Sequence, residues 1–234
     1  MRMPSESTNA AEALGSSPPV RRAWRRRAAL MMLASALGLG AGWLGFAESW
    51  RELAREASPS PGVLWPNPRP IGAFFLQDHR GHAFTREHLH GVWTFMFFGY
   101  THCPDICPGT LATLRRVEHD LPANAPVPRQ HVLVSVDPAR DTLEHLARYV
   151  AAFGPEFLGV TGSDGELARL ARDVGAAYFR DEPDDDGSYF VDHTASIMLV
   201  DPHGRLVALF AMPHDAAAIA VRFLELEQAV RAAG

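Results

Sequence analysis

Residues 71–234 of this sequence predict an α/β fold, a sheet with helices on both faces and a hairpin towards its end. Three observations predict it. Residues 92–98 (VWTFMFF) and 131–136 (HVLVSV) are largely apolar runs of strand length, suited to central strands covered on both faces. Helical patterns alternate with such runs, two of them opened by a capping box, Asp141 with Glu144 and Ser163 with Glu166. Residues 195–200 and 206–210 flank Asp201-Pro202-His203-Gly204, a turn sequence between two strands.

In chain order, residues 72–77 and 82–85 flank Asp78-His79-Arg80-Gly81 and predict a first hairpin. The run 92–98 follows as a central strand. Residues 110–120 place Leu111, Leu114 and Val117, with Leu121 beyond, at helical spacing. After the second buried strand, the box at Asp141 opens a helix through Phe153, and Gly154-Pro155 stops it. The box at Ser163 opens a helix to Val174 that Gly175 ends. The hairpin over 195–210 and a long helix over 215–233 complete the domain. No internal repeat is visible.

The residues before this domain read differently. Residues 1–20 are polar and predict disorder. Residues 1–27 hold six arginines against Glu6 and Glu12, a net of +4, so a chain total of −5 leaves −9 for the rest. Residues 28–47 then carry no charge, and twenty helical residues span roughly 30 Å, the thickness of a bilayer core. Arginines before the span place the N-terminus in the cytoplasm and the domain outside it. The expected arrangement is a basic cytoplasmic segment (1–27), a transmembrane helix (28–47), a proline-rich linker (48–70) and the folded domain (71–234). In a bacterial-type inner membrane the domain is then periplasmic, held by a single helix. A cleaved signal peptide is the competing reading, and it exports the domain equally.

Composition excludes several functions. All 22 basic residues are arginine, so no Schiff-base or phosphate-loop lysine exists. An acidic main domain lacks the basic footprint of a nucleic-acid binder. Only two cysteines occur, Cys103 and Cys107, too few and too close for a structural disulfide framework. They sit in Gly99-Tyr100-Thr101-His102-Cys103-Pro104-Asp105-Ile106-Cys107-Pro108, a buried strand passing through a short loop into a helix start. There the helix dipole lowers a thiol's pKa, and Pro108 suits the first turn. Three intervening residues, against two in thioredoxin-type redox motifs, would set both thiolates on one helical face, where they can grip one soft ion such as Cu(I) or Zn(II). His193, in Asp192-His193-Thr194 before the strand 195–200, is the best third ligand. Two thiolates and an imidazole suit Cu(I), and added water or Asp105 would suit Cu(II).

The sequence resembles the Sco/SenC family of copper proteins. Four segments carry the resemblance in the family's order: residues 99–108, residues 135–142 (SVDPARDT), residues 191–194 (VDHT) and residues 199–204 (LVDPHG). Leu143, Thr194 and Met198 depart from the usual pattern without touching a ligand. The resemblance implies a thioredoxin-like fold on a single membrane anchor, and copper, as Cu(I) or Cu(II), bound by Cys103, Cys107 and His193. It also implies a part in delivering copper to, or reducing the cysteines of, the binuclear copper site in subunit II of cytochrome c oxidase. A thiol–disulfide oxidoreductase using Cys103 and Cys107 is the alternative, and His193 discriminates, since a dithiol reductase does not need it.

Other residues carry plainer expectations. His79, His82, His88 and His90 fall on a hairpin and loop rather than forming a second metal site. His102 either tunes the site or lies on the surface. Asp137 and Arg140 are expected to pair and fix the loop after the second strand. Asp184-Asp185-Asp186 reads as a solvated loop, and Met31, Met32 and Met96 as apolar filler.

Overall fold

The computed structural model describes Leu64, residues 66–124 and residues 126–233. The basic segment, the membrane span and most of the linker lie outside these residues. Among the described residues no helix is long and apolar enough to cross a membrane.

The fold grows outward from β4 (Trp93–Gly99), whose seven residues are all buried. A run without a single charged side chain has no face to offer water, and it takes the centre of the sheet. β5 (Arg129–Ser135) pairs with it in parallel, Trp93 opposite Arg129 and Gly99 opposite Ser135. β6 (Phe157–Thr161) continues the parallel set beyond β5. On the other side, β9 (Ile197–Val200) runs antiparallel to β4, and β10 (Arg205–Phe210) antiparallel to β9. β1 (Arg69–Pro70) pairs with β10 at one edge, and the hairpin of β2 (Phe75–Asp78) and β3 (Ala83–Thr85) joins β6 at the other. The result is one eight-stranded mixed sheet. β7 (Tyr178–Arg180) and β8 (Val191–His193) form a separate two-stranded sheet.

Four helices and one 3-10 turn (Arg86–Leu89) complete the domain: α1 (Ile106–Asp120), α2 (Leu143–Ala151), α3 (Asp164–Val174) and α4 (Ala216–Ala233). Phe95 of β4 packs against Phe223 of α4, Gly99 lies against Cys107 of α1, and Gly159 of β6 lies against Leu146 and Val150 of α2. Their register places these three strand residues on one face of the sheet. α3 meets the first hairpin, where Glu166 accepts from the Phe75 backbone N–H and Asp173 from that of Gly72.

The two buried strands, both hairpins and all the helices expected within residues 71–234 are present. The Ser163 cap holds: its hydroxyl accepts from Glu166 N–H, and Gly175 ends α3 at φ 76°. The Asp141 box does not. α2 is capped by Thr142, which accepts from His145 N–H, and Asp141 is fully buried with its carboxylate turned towards the cysteine loop. Four strands were not expected: β1, β6, β7 and β8. The linker also ends differently, since Leu64 N–H donates to the Val207 carbonyl and Arg69–Pro70 pair with β10.

One ion cluster ties α1 to β5. Arg129 makes a two-pronged bond to Glu118, and His131 Nε2 approaches the same carboxylate at 3.2 Å. Burial works to raise the Glu118 carboxyl, but the bonds from His131 and Arg129 outweigh it and hold the pKa at about 2. A depressed carboxyl contributes stability above its unfolded pKa, near 4.5, that is lost as pH falls towards 2. Glu118→Gln should therefore cost about 2 kcal/mol at pH 7 and little at pH 2, read by urea unfolding at both pH values.

Candidate metal centre

β4 and β5 end side by side, and the loops that follow them build the site. In parallel α/β sheets the carboxyl ends of the strands are where ligands collect, because the chain leaves the sheet there in loops free to carry function. The loop after β4 carries Cys103 and leads into α1. The loop after β5 carries Asp137, Arg140 and Asp141 and leads into α2. β8 brings His193 to the same end.

The three expected ligands come together. Cys107 Sγ lies 3.3 Å from His193 Nε2, and the donor atoms of Cys103, Cys107 and His193 all fall within 4.8 Å of one another. Two donors bound to one ion at about 2.0–2.3 Å stand no more than about 4.6 Å apart, so small side-chain adjustments bring all three onto one ion. His193 Nδ1 lies 3.3 Å from the Thr194 carbonyl oxygen. A carbonyl only accepts, so Nδ1 carries the proton and the Nε2 lone pair faces the sulfur. Burial lowers the His193 pKa, which favours the neutral imidazole with a free lone pair at Nε2. The edges or faces of Phe97 and Tyr100 meet its ring at steep angles and fix its plane.

Gly99 makes room for the thiol. A Cβ there would stand 2.8 Å from Cys107 Sγ, 3.0 Å from Phe97 and 3.3 Å from Leu133. Any side chain at this strand end would take the sulfur's place.

Two expectations about the cysteines are corrected. α1 begins at Ile106, so Cys107 lies in its first turn while Cys103 precedes the helix in the loop. The cysteines therefore meet across a loop and a helix start, not on one helical face. The helix start also fails to lower the Cys107 pKa. Burial pushes it well up, the neighbouring Cys103 and Asp141 add to the rise, and a backbone hydrogen bond at Tyr100 only partly opposes it. Cys107 is 0% exposed, whereas Cys103 is half-buried. Desolvation against an apolar wall wins over the helix dipole.

The surrounding residues sort themselves by what they touch. Asp105 stands at the N-cap of α1 and is not in the ligand group. His102, Asp137 and Asp141 form a second gathering of possible ligands. Its carboxylates are already engaged: Asp141 by Thr101 and Ser135, Asp137 by Arg140 and Tyr189. That gathering is structural. His102 is exposed, stacks on His145 and sets Nδ1 3.4 Å from Asp141. His79 accepts from Gly159 N–H and His88 accepts from Thr85 N–H, so these two histidines make contacts of the first hairpin and the turn after it. Asp137 and Arg140 do pair. Sequence reasoning missed Gly99, Ser135 and Tyr189 as parts of the site. The first two lie inside the recognised segments, and Tyr189 carried no signal.

Two outcomes follow from this geometry. Iodoacetamide should modify Cys103 well before Cys107 in the native reduced protein, as read by peptide mass spectrometry; equal rates would mean that Cys107 is not enclosed. Gly99→Ala should destabilise the domain by about 1–3 kcal/mol in denaturant unfolding, because the sulfur cannot move aside freely.

Comparison with known proteins places these residues in a family. The SCO1/SenC family model matches residues 66–226. The SCO2 homolog of mouse mitochondria is 36% identical over 180 residues, covering 74% of this chain and 69% of that protein. The structure of Arabidopsis thaliana ScoI with copper bound superposes with a TM-score of 0.63 at 34% identity, over 68% of this chain and 98% of that one. Bradyrhizobium japonicum ScoI with copper bound gives a TM-score of 0.60 at 35% identity, over 67% and 98%. With the family's match running from the edge of the sheet into α4 and across both loops and the hairpin that gather Cys103, Cys107 and His193, this chain belongs to the SCO1/SenC family.

Proposed function

We propose that the protein is a copper metallochaperone that takes copper on Cys103 Sγ, Cys107 Sγ and His193 Nε2 and passes it to the binuclear copper site of cytochrome c oxidase subunit II. The observation that carries the reading is the meeting of Cys107 Sγ and the unprotonated His193 Nε2 at 3.3 Å, with Cys103 beside them. Soft sulfur donors select Cu(I), and relatives of similar fold have been solved with copper bound. The oxidase as recipient rests on the family resemblance. A retained anchor at residues 28–47, with the domain on the periplasmic side of a bacterial-type inner membrane, rests on the uncharged span that follows the arginines.

The chemistry of loading follows from the thiol environment. Cys107 is neutral before copper arrives, so taking up the ion as a thiolate releases its proton. The half-buried Cys103 offers the first contact, and the buried Cys107 and half-buried His193 complete the grip. An S₂N set leaves a coordination position open to a donor atom of the recipient, so copper moves by ligand exchange without being released to water.

A second reading draws on the same asymmetry. One half-buried and one buried cysteine are also the attacking and resolving pair of a dithiol reductase. Cys103 would attack a substrate disulfide, Cys107 would displace the mixed disulfide, and two electrons and two protons would pass to the substrate.

An anaerobic Cu(I) titration of the reduced domain, wild type against His193→Ala, decides between them. One tight equivalent, weakened at least about tenfold by the substitution, is the expected result. Equal binding by both proteins would remove His193 from the site and leave the dithiol reductase.

A further inference from the structure

His193 belongs to the β7–β8 hairpin, which lies outside the main sheet. Something other than sheet pairing must therefore hold the imidazole against Cys107. Several contacts do so: Arg180 of β7 donates to the Val136 carbonyl, Phe97 and Tyr100 meet the His193 ring, and a further set converges on Asp137. This side chain is fully buried and both of its oxygens are engaged: Oδ1 accepts from the Tyr189 hydroxyl at 2.6 Å, and Oδ2 accepts from Arg140 Nε. Arg140 then returns to the same tyrosine twice. Its Nη1 donates to the Tyr189 carbonyl at 2.9 Å, and its guanidinium carbon lies 3.5 Å from the Tyr189 ring centroid. Tyr189 is four residues before His193, at the entrance to β8. Ring, hydroxyl and carbonyl of one residue are thus all clasped by one acid and one arginine from the loop after β5.

The clasp is continuous with the cysteine side of the site. The Ser135 hydroxyl accepts from Asp137 N–H at 3.2 Å and donates to Asp141 Oδ2 at 2.6 Å. Asp141 in turn accepts from the backbone N–H and the hydroxyl of Thr101, two residues before Cys103. A single chain of hydrogen bonds runs from the cysteine loop through Asp141, Ser135 and Asp137 to Tyr189.

We propose that Asp137, Arg140 and Tyr189 form a positioning lock that sets His193 at ligating distance from Cys107, and that the Ser135 hydroxyl couples this lock to the Asp141 bonds that hold the cysteine loop. The hydrogen bonds and ring contacts described for the lock residues do not reach a ligand atom. They act through the hairpin, as partners outside the ligand set orient metal ligands elsewhere. The copper consequence rests on the reading of His193 as a ligand.

Tyr189→Phe tests it, because it removes one hydroxyl and leaves the ring for Arg140. Two readouts are needed. In the copper-free protein, amide hydrogen exchange should quicken at Asp181 and Thr194, whose N–H groups bond within the hairpin to the Phe190 and Ala177 carbonyls, and stay unchanged along β4 and β5. In the Cu(I) titration, the substitution should weaken binding about tenfold in wild type and have no effect in a His193→Ala background. An equal loss in both backgrounds, or unchanged hairpin exchange, overturns the lock. Arg140→Lys, which keeps the charge and loses the fork, should reproduce the pattern. If wild type takes up no Cu(I), the metallochaperone reading falls while the exchange data still decide whether the lock exists.

Discussion

Two carboxylates buried at the end of β5 organise everything around them. Asp137 and Asp141 are both 0% exposed, and a buried carboxylate is tolerated only when its oxygens are met by donors. Those donors come from distant parts of the chain: Thr101 from the loop after β4, Ser135 from β5, and Tyr189 from the entrance to β8. Satisfying the two acids thus forces three segments into one arrangement, and that arrangement brings sulfur and imidazole together. Removing the Tyr189 hydroxyl, for example, takes from Asp137 Oδ1 its hydrogen-bond donor in a buried place, so alternatives to this geometry are disfavoured as well as the geometry itself being favoured.

The thiols sit in an environment of opposite character. Cys107 lies against Gly99, with Phe97 and Leu133 close by, and burial keeps it protonated. A free thiolate is suppressed, and with it oxidation and unwanted exchange at that sulfur. The charge that the apolar wall rejects is acceptable once a cation shares the pocket. The site thereby ties its own reactivity to the presence of a bound cation.

Much of this was legible in the sequence, for stated reasons. The uncharged, largely apolar run of β4 had only one place to go, and Cys103 and Cys107 stood out as the two cysteines of the chain. His193 was nominated from its place before a strand and was secured by the resemblance of its segment. The misreadings share a cause. Asp141 followed three residues later by Glu144 looks the same whether its carboxylate faces its own helix or another loop, and the tertiary partner won, leaving Thr142 to cap α2. The same holds for the Cys107 thiol: local position at a helix start suggested a lowered pKa, and the wall built by residues far away in sequence reversed it. β7 and β8 are short and partly polar, and their order comes from Asp137, Arg140 and the Arg180 bond to the Val136 carbonyl, none of which is a local pattern.

The hairpin's independence from the eight-stranded sheet has a thermodynamic meaning of its own. A strand within the main sheet could withdraw its histidine only by breaking the core, at a cost near that of global unfolding. A two-stranded annex fastened by a few side-chain contacts opens for much less, since small peripheral units separate well below the global free energy. The hairpin that carries His193 is therefore expected to open at a lower free energy than the core strands. In the copper chaperone we propose, that difference would let the histidine donor yield while the core holds.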